Sequence, residues 1–282
     1  MLKNYLKIAV RNLMRNKVYS AINIIGLAIG VASCILIFLY VQDELSYESH
    51  FSKSDRIVRV VGTITFEGQQ DKFSVTPLPL EEAVREFPEV ETATQFSRMS
   101  KRTIWYKGQS FTDDQLLYAD SSFFSVFDYE LLAGDPKTAL DGPRKIVLTE
   151  ELANKFFGGT EQALGEVLQF SNESYTVTGV YRDEGHSHIK ASGLLSRSTY
   201  LNRLSADERN NQWFNLNNYT YALLRKEEQL PALQRQLDVL TEKTVNPWIK
   251  ENNLNAQMAF FCAATRNDPL RYPLWPRPDP SG

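Results

Sequence analysis

The hydrophobic pattern changes character near residue 46. From Val18 to Gln42, 25 consecutive positions carry no charge, and only Ser20, Asn23, Ser33 and Gln42 are noticeably polar. A helix of that length rises about 37 Å at 1.5 Å per residue, enough to cross a hydrocarbon core of about 30 Å. Residues 18–42 are therefore predicted to form a transmembrane helix. Before them, Leu2, Leu6, Val10 and Leu13 recur at steps of four and three, with Lys3, Lys7 and Arg11 alongside. This spacing predicts an amphipathic basic helix over residues 1–17, its apolar stripe on membrane lipid and its cations near the lipid phosphates. The plainer alternative is a basic flank that only sets topology.

Beyond Ser46 the pattern becomes mixed. Arg56–Phe66 is rich in β-branched residues and reads as a strand, as do Val90–Phe96, Thr103–Tyr106, Lys145–Leu148, Tyr175–Tyr181 and Tyr219–Leu224. Lys107-Gly108 marks a turn. Leu80, Ala83, Val84 and Phe87, with Glu81 and Glu82 early, predict a short helix that stops at Pro88. Further helices are predicted over Glu150–Phe157, ended by Gly158-Gly159, and from Leu230 to about Lys243. Repeated β-α-β units around a block richer in strands predict an α+β domain with an insertion, over residues 46–250. Five of the twelve positions from Pro269 to Pro280 are proline, so residues 262–282 read as a disordered Pro-rich tail.

Charge gives the chain a direction. Residues 1–17 carry five basic residues and no acid, whereas the remaining 265 carry 26 basic and 34 acidic residues. The positive-inside bias places the N-terminus in the cytoplasm and everything after about Gln42, where Asp43, Glu44 and Glu48 follow, on the far side. The overall charge of −3 argues against a nucleic-acid partner held through phosphates. Val31-Ala32-Ser33-Cys34 looks like a lipoprotein cleavage box, but Ile35 to Val41 continues as seven apolar residues, so Cys34 reads as a membrane-buried residue. Gly26 and Gly30 form a G-x-x-x-G pair that permits close approach of another membrane helix, although small residues are common in any such helix.

Several segments together resemble the MacB/FtsX-type permease subunits of ABC transporters, with their MacB-like periplasmic core domain. They are Leu13 with Arg15-Asn16-Lys17 entering Asn23–Gly30, Asp43–Tyr47 with Ser54–Val60, and Ala119–Asp128 with Leu131–Asp135. Ile146–Gly158 and Tyr175–Val180 with Ser187-His188 complete the set, so the resemblance runs in order over roughly residues 1–245. It implies a first membrane helix, then an extracytoplasmic domain with a porter-like α/β part and an inserted β-rich subdomain, then three more membrane helices. It also implies a permease dimer partner, a cytoplasmic ABC ATPase subunit as motor, location in the cell inner membrane, and a periplasmic partner protein or an export substrate. The absence of another apolar span here leads to the expectation of a truncated or frame-shifted copy. The alternative is a single-pass receptor or adhesion protein whose outer domain binds a ligand.

Candidate chemistry is sparse. Glu184-Gly-His186-Ser-His188 is the one cluster with the look of metal ligands, and a structural turn is the favoured reading. No G-x-S-x-G or G-x-x-x-x-G-K-[ST] occurs, so neither a serine nucleophile nor a P-loop is expected. Asp113-Asp114 and Glu81-Glu82 read as solvated faces, because helical neighbours diverge by about 100°. Phe123, Phe124, Phe127 and Tyr129 form either a core cluster, the favoured reading, or the lining of a groove for an apolar substrate. Asn172 and Asn218 head glycosylation sequons. No enzyme activity, catalytic residue, cofactor or metal is expected.

Overall fold

The computed structural model describes residues 2–46, 51–113, 115–171, 173–183, 187 and 189–264. The chain divides into two compact units, residues 1–47 and 48–282.

In the first unit, α1 (Leu2–Arg15) and α2 (Lys17–Ser46) are both helical, with the break at Asn16. The part of α2 long and apolar enough to cross a membrane is Lys17–Leu39, and its most apolar stretch is not buried within the protein. Large apolar side chains such as Ile22, Leu27, Leu36 and Phe38 are exposed on all sides of it. An all-round apolar surface is what lipid requires of a helix. The Ser33 hydroxyl donates to Ile29 O at 2.9 Å, satisfying itself within the helix.

The second unit is built on one mixed sheet. In chain order its strands are β1 (Ile57–Phe66), β2 (Gln69–Phe73), β3 (Thr76–Pro77), β4 (Val90–Arg98), β5 (Arg102–Tyr106), β6 (Gln109–Asp113) and β7 (Leu116–Ala119). Then come β8 (Leu131–Gly134), β9 (Lys145–Thr149), β10 (Val167–Phe170), β11 (Glu173–Tyr181), β12 (Gly193–Ser196), β13 (Leu216–Leu224) and β14 (Ala256–Ala264). The helices are α3 (Leu80–Arg85), α4 (Phe123–Val126), α5 (Glu150–Phe157), α6 (Thr160–Ala163), α7 (Ser198–Leu201), α8 (Ala206–Asn210), α9 (Leu230–Leu240) and α10 (Asn246–Glu251).

The strand order β14-β1-β13-β4-β7-β12-β9-β11-β10-β5-β6 explains the architecture. Its first four strands, taken by chain order among themselves, run fourth, first, third, second. With α3 between β1 and β4, and α9 between β13 and β14, this is the split βαβ arrangement. Everything between β4 and β13 is inserted into that framework. The insertion extends the same sheet through β7 and supplies its two parallel pairs, β7 with β12 and β9 with β11. The crossover between β9 and β11 carries α5 and α6, as parallel neighbours require. The α+β class, with one N-terminal apolar helix, is thus as the sequence indicated.

Both faces of the framework sheet are buried. Val58, Val60, Ala93, Ala222, Leu224, Met258 and Phe260 pack on one face against Leu80, Val84, Leu233, Leu237, Val245 and Ile249 of the helical layer. Ile57, Phe96, Tyr219, Tyr221 and Leu223 point to the other face and meet Phe51, Phe123, Phe127 and Tyr129. The aromatic group after β7 is therefore core, with Phe123 and Phe127 each 1% exposed. The insertion has its own cluster around Ile104, Ile146, Leu168, Tyr175 and Val180.

Several elements differ from the sequence reading. β2, all polar apart from Phe73, exists because Glu67 (φ 50°) and Gly68 (φ 82°) turn the chain back onto β1. Lys107 (φ 45°) and Gly108 (φ 83°) make the same turn where it was expected. The helix expected to end near Lys243 passes through a π turn at Thr241–Val245 into α10. Past residue 250, β14 pairs with β1 along its whole length, so residues 262–264, expected in the Pro-rich tail, are strand. Residues 265–282, the rest of that tail, lie outside the described residues.

Candidate functional site

Two features stand out: the surface of α2 and a buried polar cluster under α3. On α2, Gly26, Gly30 and Cys34 follow at steps of four and floor a shallow groove, walled by Leu27, Val31, Ile35 and Phe38. The side-chain-poor floor leaves backbone accessible to a neighbouring helix.

In the outer unit, the polar cluster is assembled from separate elements. Asp120 follows β7 and Arg197 follows β12; because these strands run parallel side by side, the two residues reach the same end of the sheet. Arg197 Nη1 donates to Asp120 Oδ2 at 2.7 Å, with the arginine buried and the aspartate side chain 12% exposed. Arg197 Nη2 donates to Gln95 Oε1 on β4, and the Gln95 backbone N–H donates to the same Asp120 Oδ2 at 2.9 Å. Gln95 Nε2 goes on to Pro77 O at 2.9 Å and Thr220 Oγ1 at 2.8 Å, and Thr220 Oγ1 meets Thr76 Oγ1 at 2.6 Å. Buried polar atoms here are satisfied mainly by one another, as the low dielectric demands. Glu81 of α3 pairs with Arg85 one helical turn on, and the charges of Asp120 and Arg197 reach it.

Glu81 corrects the expectation of a solvated face: it is 6% exposed, while its neighbour Glu82 is exposed. Burial, reinforced by the charge of Asp120, pushes its carboxyl up to about 7, against the opposing pull of Arg85 and Arg197. Tyr181, whose hydroxyl donates to Ala191 O at 2.6 Å, is raised well above its usual value by burial. Burial also pushes the Cys262 thiol up to about 12, with Asp238 adding to the shift. Both cysteines are free.

The other sequence candidates are placed as follows. Glu184, His186 and His188 lie outside the described residues; Ser187 between them is buried, and its Oγ accepts from Ile189 N at 3.1 Å, a local turn bond. Among the described residues, no group of three or more His, Cys, Asp and Glu side chains could hold a metal ion. Asp113 Oδ1 accepts from Gln115 N at 2.6 Å, and Asp114 and Asn172 are not described. Asn218 and Thr220 are buried in β13, which leaves that sequon unsuited to carry a glycan. Sequence reasoning missed Asp120, Gln95 and Arg197, because only the sheet topology brings residues 95, 120 and 197 together.

A family model and a solved structure match the chain over most of its length. The MacB-like periplasmic core domain family matches residues 20–240, a span that begins inside α2 and ends at the last residue of α9. Among solved structures, a domain described as that of a permease protein from Porphyromonas gingivalis is similar at 24% identity and TM-score 0.66, covering 77% of this chain and 92% of that one. The periplasmic region of MacB from Actinobacillus actinomycetemcomitans gives 16% identity and TM-score 0.48, over 72% of this chain and 88% of that one. The extracellular domain of the noncanonic ABC-type transporter YknZ from Gram-positive bacteria gives 12% and 0.47, over 72% and 99% respectively. No curated protein sequence matches. The Porphyromonas domain shares the fold, the family match spans well over half of the chain, and the chain accordingly belongs to the MacB-like periplasmic core domain family, the extracytoplasmic domain of MacB/FtsX-type permeases.

Proposed function

We propose that the chain works as a permease subunit of an ABC transporter, carrying motion produced by ATP hydrolysis on a cytoplasmic ATPase subunit to its outer domain. The observation that carries this reading is the extent of the family match: it starts at residue 20, within the membrane-length helix, and runs on through the outer domain, so helix and domain belong to one unit of descent. In this scheme α1 lies at the cytoplasmic surface of the inner membrane, α2 passes through the bilayer, and residues from about 51 onward are periplasmic. The charge asymmetry supports that orientation, with five cations before the span and the acidic excess after it. Two copies pair as a permease dimer. The outer domain engages either an export substrate or a periplasmic partner protein and performs no bond-making or bond-breaking of its own.

The test is purification of the tagged full chain from its native membranes in mild detergent after brief crosslinking. A P-loop ATPase subunit is expected to co-purify, and its nucleotide state is expected to change the protease sensitivity of the outer domain. Recovery of the chain without any ATPase subunit would overturn the proposal.

A further inference from the structure

The path of the sheet ends on two strands, β14 and β6, and the fold treats them differently. On β14 the peptide groups facing away from β1 are met by the side chains of Gln234 and Asn246. On β6, among the described residues, no hydrogen bond reaches the outer edge. The strand also lacks the lysine, proline or bulge that commonly guards such an edge. Its register says which groups are open. Lys107 and Gly108, both with positive φ, form a two-residue turn that closes on the hydrogen-bonded pair Tyr106–Gln109. Pairs then alternate, so Gln109, Phe111 and Asp113 bond inward to β5, and Ser110 and Thr112 turn their N–H and C=O groups outward. The side chains of Ser110 and Thr112 are exposed as well.

We propose that β6 is a homodimer edge: two copies of this chain join their β6 strands antiparallel across a two-fold axis at Phe111, so that the sheet of one outer domain continues into that of the other. The charges along the strand select a second copy in this direction. Lys107 stands at its start and Asp113-Asp114 at its end. Antiparallel pairing sets the acidic end of each copy beside the basic end of the other, whereas parallel pairing would set like against like. Lys107 is exposed, and its ion pair with Glu166 is a loose 3.6 Å, so its charge remains open to a second acid. The axis at Phe111 also fits the apolar chemistry. Phe111 is half-buried, its ring 4.4 Å from that of Phe156, and the pairing lays it beside its own counterpart as a cross-strand aromatic pair. Lys155 Nζ, 5.1 Å over the Phe111 ring, adds a cation on the face that Asp113 of the second copy joins.

In this register Ser110 faces Thr112 of the second copy as a hydrogen-bonded pair, with Cα atoms about 5.5 Å apart, and each such pair exchanges both of its backbone bonds. Ser110 lies on a diagonal from Ser110 of the second copy, at about 7–8 Å. The edge is short, and its contact is sustained by confinement of both copies to one membrane through α2, which raises their effective concentration. The proposal names the surface for the copy-to-copy pairing of the proposed function, and it rests on that reading for the presence of a second copy.

Disulfide trapping reads the register directly. Two differently tagged full chains, both carrying Cys34→Ser, are co-expressed in native membranes, one with Ser110→Cys and the other with Thr112→Cys, and oxidised briefly with copper phenanthroline. The mixed dimer is expected to form, because its Cα separation lies within the range of about 4.4–6.8 Å that a disulfide spans. Dimers of like chains, on the diagonal, are expected at about one-tenth of that yield or less. Adding Thr112→Pro to the Ser110→Cys copy removes an outward N–H and no bond to β5. It is expected to lower the mixed yield several-fold while leaving thermal unfolding of the outer domain unchanged. Absence of the mixed dimer, equal yields of mixed and like dimers, capture of some other protein in its place, or a yield indifferent to Thr112→Pro would each overturn the proposal. Co-purification of the two tags and of an ATPase subunit, scored on the same membranes, separates this failure from failure of the permease reading.

Discussion

The side chain of Gln234 stands in for a missing strand beside Cys262. Its Oε1 accepts from Cys262 N at 2.9 Å while its Nε2 donates to Phe260 O at 2.9 Å, on the edge of β14 away from β1. Asn246 repeats the device four residues nearer the strand's start: Oδ1 accepts from Met258 N at 2.9 Å and Nδ2 donates to Met258 O at 3.1 Å. Two carboxamides thus copy the peptide groups of a neighbouring strand and blunt an edge that would otherwise invite pairing with another chain. The π turn at Thr241–Val245, between α9 and α10, lies between the two amides in sequence.

Removing one of these amides leaves buried strand groups without partners. Gln234→Ala and Asn246→Ala are each expected to cost about 1–3 kcal/mol. Chemical denaturation of the outer-domain transition measures the loss, and the double variant is expected to aggregate more readily through the bared edge.

The Arg197–Asp120 pair gives a larger effect. Arg197→Ala strands Asp120 in the core and is expected to destabilise the outer domain by about 3–5 kcal/mol, whereas Arg85→Ala, at a half-exposed pair, is expected to cost about 1 kcal/mol or less. Thermal unfolding of the two variants side by side separates these figures.

Gly134 closes β8 at a φ of +90°, where it crosses β11 closely enough that an added Cβ would lie 2.4 Å from Thr178 O. Neither the backbone angle nor the space admits a side chain. Gly134→Ala is expected to destabilise the domain by about 2 kcal/mol or more, read by the same unfolding curves.

Burial sets the chemistry of Cys262. With its thiol pushed up to about 12, the reactive thiolate is scarce at neutral pH. In a Cys34→Ser background the folded chain is expected to resist a maleimide reagent near pH 7 and to react fully once denatured. Rapid labelling of the native chain would contradict the placement of Cys262 within β14.

How much of this was legible beforehand depended on how local the signal was. The span around Gly26 and Gly30, the strand at Arg56–Phe66 and the helix at Glu150–Phe157 announce themselves by runs of apolar residues or by caps such as Thr149, whose Oγ1 accepts from Leu152 N. β14 was hidden because the notable composition lies after it, in the prolines from Pro269, and because its sequence is a plain apolar run with no turn signal. β2 was hidden because its five residues are mostly polar and leave no hydrophobic alternation to read. The misreading of Glu81 has a physical cause as well. Its neighbours Leu80 and Val84 face the core, but a carboxylate on that same side of the helix becomes intelligible only once the charges of Arg197 and Asp120, which lie far away in sequence, are seen to reach it.

The central claim is that α2 crosses the bilayer and holds the folded unit on the far side from α1. Single cysteines at two exposed positions, Met14→Cys on α1 and Asn210→Cys on α8, introduced into the Cys34→Ser chain, test it in intact spheroplasts. A membrane-impermeant maleimide is expected to label Asn210→Cys from outside and to reach Met14→Cys only after the membrane is opened. Labelling of both positions from outside, or of neither until lysis, would contradict the account.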